Sequence, residues 1–212
     1  MPETDEMVDA IAFVGDTLAP FFLEDPASGA AGDVFAAFAA LDAYAAAGEW
    51  PFACAAIARE AIASMVGGLA NGVDDDLTWE YRRLFVGPGH LDAPPWGSVY
   101  TDRECVVSGE STLALRAWMR ERGIARLGDE RTPEDHIGLM LALMAYLCRT
   151  RPETLDEYLC LHFLTWAPHY LEELSRVARH PFYRGLADLT RATLSGIADF
   201  RGLNVSVPKF YR

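Results

Sequence analysis

Three features of this 212-residue sequence predict an all-α fold. Apolar residues recur at three- and four-residue spacing in each long segment. No two alternating runs are joined by a tight turn, so no β-hairpin is expected. Pro, Gly and Asp stand where one helix should stop and the next begin. Apolar residues make up 51% of the chain, enough to build a core without disulfides or metal.

The elements follow in order. Residues 7–22 carry Ile11, Val14, Leu18 and Phe22 at helical spacing, and Asp25-Pro26 and Ser28-Gly29 then break the chain. Residues 33–46 read as one Ala-rich helix with Asp33 as its N-cap. Trp50-Pro51 opens the next helix, which stops at Gly67-Gly68. Asp74, Asp75 and Asp76 offer caps for a short helix ending near Val86. Residues 87–99 hold three prolines and three glycines in 13 positions, which predicts an ordered, irregular loop. A loop of this length inside a compact domain is often functional. Tyr100 to Val107 reads as extended, and a helix follows from about Glu110 to Arg122.

Thr132-Pro133-Glu134-Asp135 is a helix start. Thr132 can cap, Pro133 suits the first helical position, and the acids suit the positive end of the dipole. That helix runs to about Arg149 and is apolar nearly all round, the mark of a buried central helix. Two more are expected at 153–164 and 167–179. His180-Pro181 opens the last, which ends near Arg201-Gly202. The tail from Leu203 to Arg212 is short and is expected to pack back on the body. With no repeat and no low-complexity linker, residues 1–212 read as a single domain.

Composition narrows the function. The formal net charge is −13, from 18 basic and 31 acidic residues, which argues against nucleic acid as partner and weakly favours a basic one. No apolar run is long enough to span a membrane. The N-terminus is acidic and lacks the positive region of a secretory signal, so a cytoplasmic protein is expected. Cys54, Cys105, Cys148 and Cys160 form no C-x-x-C pair and read as reduced, small hydrophobes.

Catalytic signatures are missing, so no enzyme is expected. The only lysine is Lys209, which excludes a Walker-type phosphate loop, and there is neither a G-x-S-x-G elbow nor an H-E-x-x-H helix. His162 and His169 stand seven apart with Pro168 between them, poor geometry for a shared metal. No metal or cofactor is expected. The polar pair that stands out is Asp135 and His136. It is either a helix cap with a neighbouring surface histidine, or a recognition site where Asp135 receives a guanidinium fork and a neutral His136 hydrogen-bonds. Tyr81, Leu84 and Phe85 share one helix face and form an apolar group with Trp96, as core or as a groove. Glu104 and Glu110 are lone carboxylates, ordinarily solvated or paired with Arg103 or Arg116.

Several motifs taken together resemble one family, the TorD/DmsD maturation chaperones for molybdenum-containing reductases, with the DmsD branch most similar. They are Tyr81-Arg82-Arg83-Leu84-Phe85-Val86-Gly87-Pro88, Pro94-Pro95-Trp96-Gly97-Ser98-Val99-Tyr100 and Asp102-Arg103-Glu104. Gly109-Glu110-Ser111-Thr112-Leu113-Ala114-Leu115-Arg116, Pro133-Glu134-Asp135-His136 and His180-Pro181-Phe182-Tyr183-Arg184 continue the series. The resemblance covers about residues 77–212, and the Ala-rich first third shares only helical character. It implies a TorD-like helical bundle that binds a twin-arginine signal peptide and delays export until the cofactor is inserted and the enzyme folded. By the resemblance, peptide-contacting positions fall at Tyr81, Leu84, Phe85, Pro95, Trp96, Gly97, Ser98, Asp135 and His136, with Glu104 and Glu110 as auxiliary carboxylates. Position 81 is Tyr where some relatives have Trp, which should shift affinity rather than abolish binding. The implied partners are the leader of a DMSO/TMAO-type reductase, the reductase's catalytic subunit, and transiently the export machinery. Two alternatives stand beside this reading: a nucleotide-binding (GTP) chaperone, and a helical enzyme using Asp135 and His136.

Overall fold

Why one helix is buried nearly all round is plain from its sequence. Helix α8 (Ile137–Thr150) carries Ile137, Leu139, Met140, Leu141, Leu143, Met144, Leu147 and Cys148, and all of them are buried. The computed structural model describes residues 2–29, 31–126 and 132–212. Among these residues the fold is all-α, with eleven α-helices and no strand. No helix there is long and apolar enough to cross a membrane. The chain divides into two compact units, one formed by residues up to Ala19, Pro95–Ala167 and Leu203–Arg212, the other by Pro20–Pro94 and Pro168–Gly202.

The first unit is built around α8. Helix α1 (Pro2–Leu23) turns Ile11, Val14 and Leu18 inward, and its Asp16 pairs with Arg149 near the end of α8. Helix α7 (Glu110–Glu121) buries Leu115, Trp118 and Met119. The buried Tyr158 of α9 (Leu155–Tyr158) donates its hydroxyl to the Met140 carbonyl at 2.7 Å. A π-helical turn, Leu159–Phe163, follows α9 directly. The tail has no regular structure and is tied to this unit by the Tyr211 N–H, which donates to the Tyr100 carbonyl at 2.9 Å.

In the second unit, α2 (Gly32–Ala39), α3 (Ala43–Glu49) and α11 (Pro181–Phe200) pack with α4 (Ala55–Gly68). Phe21, Phe35 and Phe182 share one aromatic cluster, with ring centroids 5.0–5.2 Å apart. Helix α11 comes so close to α4 that a Cβ on Gly185 would stand 2.5 Å from the Ala61 carbonyl oxygen. Helix α5 (Asp75–Tyr81) continues into a second π-helical turn, Arg82–Val86. Glu80 is buried and accepts from Arg83 and from the Arg179 N–H, ahead of α11. Helix α10 (Ala167–Val177) lies almost wholly in this unit.

Four boundaries depart from the sequence expectations. Residues 33–46 form two helices, because the Asp42 carboxylate accepts from the N–H groups of Tyr44 and Ala45 and starts a new one. Helix α4 begins at Ala55 rather than Pro51, since Phe52 sits at φ 67°, which no right-handed helix allows. Ser98–Thr101 is a one-turn helix, α6, where loop and extended chain were expected. Helix α8 begins at Ile137 and not at Pro133. Its N-cap is His136, whose backbone is extended and whose Nδ1 accepts from the Gly138 N–H at 3.2 Å.

Candidate functional site

The site grows from two short stretches of the first unit. Pro95-Trp96-Gly97, preceded by Pro94, cannot continue a helix, and Pro133-Glu134-Asp135-His136 leads into one. Their backbones pair. The Ile137 N–H, unsatisfied within its own helix, donates to the Pro95 carbonyl at 2.8 Å. The Gly97 N–H donates to the Asp135 carbonyl at 3.1 Å, and Trp96 and His136 form an isolated antiparallel bridge. Their rings meet edge-on, with centroids 5.8 Å apart.

Asp135 therefore does not cap its own helix. Its Oδ2 accepts from the Ser98 N–H at 2.7 Å, fixing the start of α6. Its Oδ1 makes no hydrogen bond although the residue is only 3% exposed. Gly97 is required here, because a Cβ would come within 2.7 Å of the Trp166 indole. Trp166 in turn stacks on Tyr100 at 6.3 Å with the ring planes 9° apart.

Beside this junction lies a pocket of about 250 Å³. Gly97, Thr101, Ser111, Leu115, Asp135, Leu161, His162 and Trp166 line it, and Ser206 and Pro208 of the tail complete the wall. Among the described residues no group of His, Cys, Asp and Glu could hold a metal ion.

Burial sets the electrostatics. It pushes the Asp135 carboxyl above the ordinary Asp range, and the hydrogen bond from the Ser98 N–H only partly opposes it. It depresses His136 to about 3, so that ring is neutral at physiological pH. His162 is lowered to about 4, again by burial, with the Glu157 and Arg122 charges pulling in opposite directions. Burial alone would raise Glu134, but its ion pair with Arg116 and the charge of Arg126 outweigh that and hold it low. Arg116 reaches both Glu134 oxygens, at 2.9 and 2.7 Å, and Arg126 adds a contact at 3.0 Å.

Pro95, Trp96, Gly97, Ser98, Asp135 and His136 thus converge within the first unit. Trp96 is half-buried, whereas Glu104 and Glu110 are exposed. Arg116, an expected partner for such a carboxylate, is bound to Glu134 instead. Tyr81, Leu84 and Phe85 belong to the second unit and are buried there. The Phe85 ring lies 5.1 Å from Tyr81 and 5.6 Å from Tyr183. Ser111, His162 and Trp166 were missed as site residues. Only the fold brings them to Asp135; Ser111 stands in the Gly109–Arg116 motif, but no local motif marks His162 or Trp166.

Comparison with known proteins accords with this architecture. The family model described as nitrate reductase delta subunit matches residues 53–178. The "Probable Tat proofreading chaperone DmsD" of Haemophilus influenzae is 47% identical over 68% of this chain and 71% of its own length. The Tat proofreading chaperone DmsD of Salmonella typhi is 40% identical over 69% of this chain and 70% of its own. Among solved structures, a protein of Archaeoglobus fulgidus described as a redox enzyme maturation protein superposes with a TM-score of 0.53. It is 18% identical, covering 85% of this chain and 91% of that one, and supports the helical fold.

Proposed function

The chain belongs to the nitrate reductase delta subunit family, and from that premise we propose that it binds the twin-arginine signal peptide of a molybdenum-containing reductase. It is a chaperone, like its curated relatives, and not an enzyme. On this reading it acts in the cytoplasm on a reductase of the DMSO/TMAO type, and delays export until the cofactor is inserted and the enzyme has folded.

One observation carries the reading. Asp135 presents a buried carboxylate oxygen without a hydrogen bond, on the wall of a pocket, beside the partly exposed ring of Trp96. A buried unpaired carboxylate is costly, and a guanidinium from outside would satisfy it. Trp96 offers apolar surface for the stretch that follows the arginines in such a leader. Pro95, Gly97 and Ser98 hold the two together through their backbone. Glu104 or Glu110, both exposed, would assist in attracting the arginines, while Tyr81, Leu84 and Phe85, buried in the second unit, offer the leader little surface. A nucleotide suits the pocket less well, because the Asp135 carboxylate would repel a phosphate.

Calorimetry of a synthetic leader tests this. Asp135→Asn keeps the shape and removes the charge, and should cost about 1.5–3 kcal/mol, or about 10- to 150-fold in affinity. If that variant binds as tightly as wild type, and a Lys-Lys leader is held as well as Arg-Arg, the carboxylate plays no part. Co-purification of reductases bearing such leaders would identify the client.

A further inference from the structure

We propose that His162 is a specificity-determining residue of this site, taking one arm of a single arginine guanidinium whose other arm meets Asp135. This rests on the leader-binding reading above, and it names what the pocket receives.

His162 reaches the pocket through an unusual piece of backbone. Leu159–Phe163 is a π-helical turn, a geometry that costs regular hydrogen bonding and is common at functional sites. The turn sets both Leu161 and His162 on the pocket wall. Two contacts hold the histidine in place. The Trp166 indole N–H donates to its carbonyl at 3.0 Å, and the Trp118 ring lies 5.5 Å from the imidazole. So held, the ring keeps its Nε2 buried and without a hydrogen bond. The Ser111 hydroxyl and Asp135 Oδ1, on the same wall, are buried and unbonded too.

Three unsatisfied polar atoms around one cavity describe the complement of a missing ligand. With its proton on Nδ1, the imidazole offers Nε2 as an acceptor, and Ser111 and Asp135 accept as well. A group rich in donors is called for. The volume, about 250 Å³, falls below the roughly 300 Å³ at which pockets for whole small molecules begin. It suits one side chain. Leu115, Leu161 and Trp166 supply an apolar sleeve for a methylene stem. Arginine meets all three demands, since its planar fork presents parallel N–H groups to separated acceptors. A lysine ammonium is a compact, strongly hydrated point charge and gains less from two fixed acceptors. One arginine of the pair enters the pocket, and the other stays outside.

The test uses the full chain and four synthetic leaders, carrying Arg-Arg, Lys-Arg, Arg-Lys and Lys-Lys before the apolar stretch. Wild type should lose affinity when one particular arginine becomes lysine, and far less at the other. His162→Leu should weaken the Arg-Arg leader by about tenfold or more and flatten that positional preference. His162→Gln, which keeps an acceptor, should restore most of both. In wild type labelled with ¹⁵N, the Arg-Arg leader should shift the His162 Nε2 resonance, a readout independent of whether any variant folds. An unmoved Nε2 resonance at saturation, or a His162→Leu variant with wild-type affinity and preference, overturns the proposal. If either occurs while Asp135→Asn still loses affinity, leader binding stands and only the role of His162 falls. If wild type binds none of the four peptides, both readings fall together.

Discussion

Asp135 carries opposite consequences for stability and for binding. Burial raises its pKa, so the folded protein holds a proton there more tightly than the unfolded chain does. Stability from this group is present at low pH and is lost as pH rises through the folded pKa. At neutral pH the group is therefore a cost, and Asp135→Asn should relieve it. Its amide oxygen can still accept from the Ser98 N–H. The variant should melt a few degrees above wild type at pH 7, and the gap should shrink as pH falls toward 4. Scanning calorimetry across that range checks it. A variant that melts higher yet binds the leader more weakly is the signature of a group kept for recognition. A lower melting temperature at pH 7 would make Asp135 a structural cap instead. Trp96 acts by area, not charge. Trp96→Ala should cost on the order of 1–3 kcal/mol of binding, unchanged between low and high salt.

At the level of elements, close packing and one ion-pair cluster set the stability. Gly185→Ala puts a methyl 2.5 Å from the Ala61 carbonyl of α4, so α11 must shift. Overpacking of this kind costs about 1–3 kcal/mol, read as a lower melting temperature. Glu134 joins α7 to the chain that leads into α8, through the fork of Arg116 and the contact of Arg126. Because Arg116 is 41% exposed, solvent screens the pair, and Glu134→Gln should cost about 1–2 kcal/mol rather than the full value of a buried bridge. The Glu134 pKa is lowered in the fold, so this stability is present above the unfolded carboxylate pKa and fades as pH falls through the folded one. Wild type and Glu134→Gln should therefore converge in acid. These elements also show what was legible in the sequence. Periodicity revealed the helices, because a buried stripe such as Ile11, Val14 and Leu18 repeats locally. Cap choice was less legible. Asp33, Thr132 and Asp135 all looked like caps, yet α2 starts without a side-chain cap, Asp42 caps the separate α3, and His136 caps α8. Asp135 is instead held by Ser98, 37 positions away in sequence, a contact that no local pattern encodes. The two motifs that the resemblance assigned to one peptide do meet, Trp96 against His136. The presence of His162 beside them was not legible, since its π-helical turn has no sequence mark.

For the molecule as a whole, charge governs two separable behaviours. The formal net charge of −13 should draw a basic leader toward the protein, so the association rate should fall steeply with salt while the dissociation rate changes little. Stability in acid is a different matter. Lowering the pH reduces the net negative charge and so relieves self-repulsion, a stabilising trend. Against it stand the histidines. Burial depresses His136 to about 3 and His162 to about 4, and lowers His180 as well. The unfolded chain binds protons at these sites near pH 6.5 and the folded chain does not, so stability is present above pH 6.5 and lost as pH falls toward 4. The histidine effect should win, because three specific rings, His136, His162 and His180, act against the single Asp135 carboxyl, whereas the repulsion is spread over the surface and screened within about 8 Å at physiological salt. The melting temperature should therefore fall continuously from pH 7 to pH 4.5. His136→Asn supplies the control. Asn is a strong N-cap, so its side chain can replace Nδ1 in accepting the Gly138 N–H, and it does not titrate. That variant should show a visibly shallower decline. A wild-type melting temperature that rises as pH falls, and rises further with added salt at pH 7, would mean that self-repulsion outweighs the buried rings.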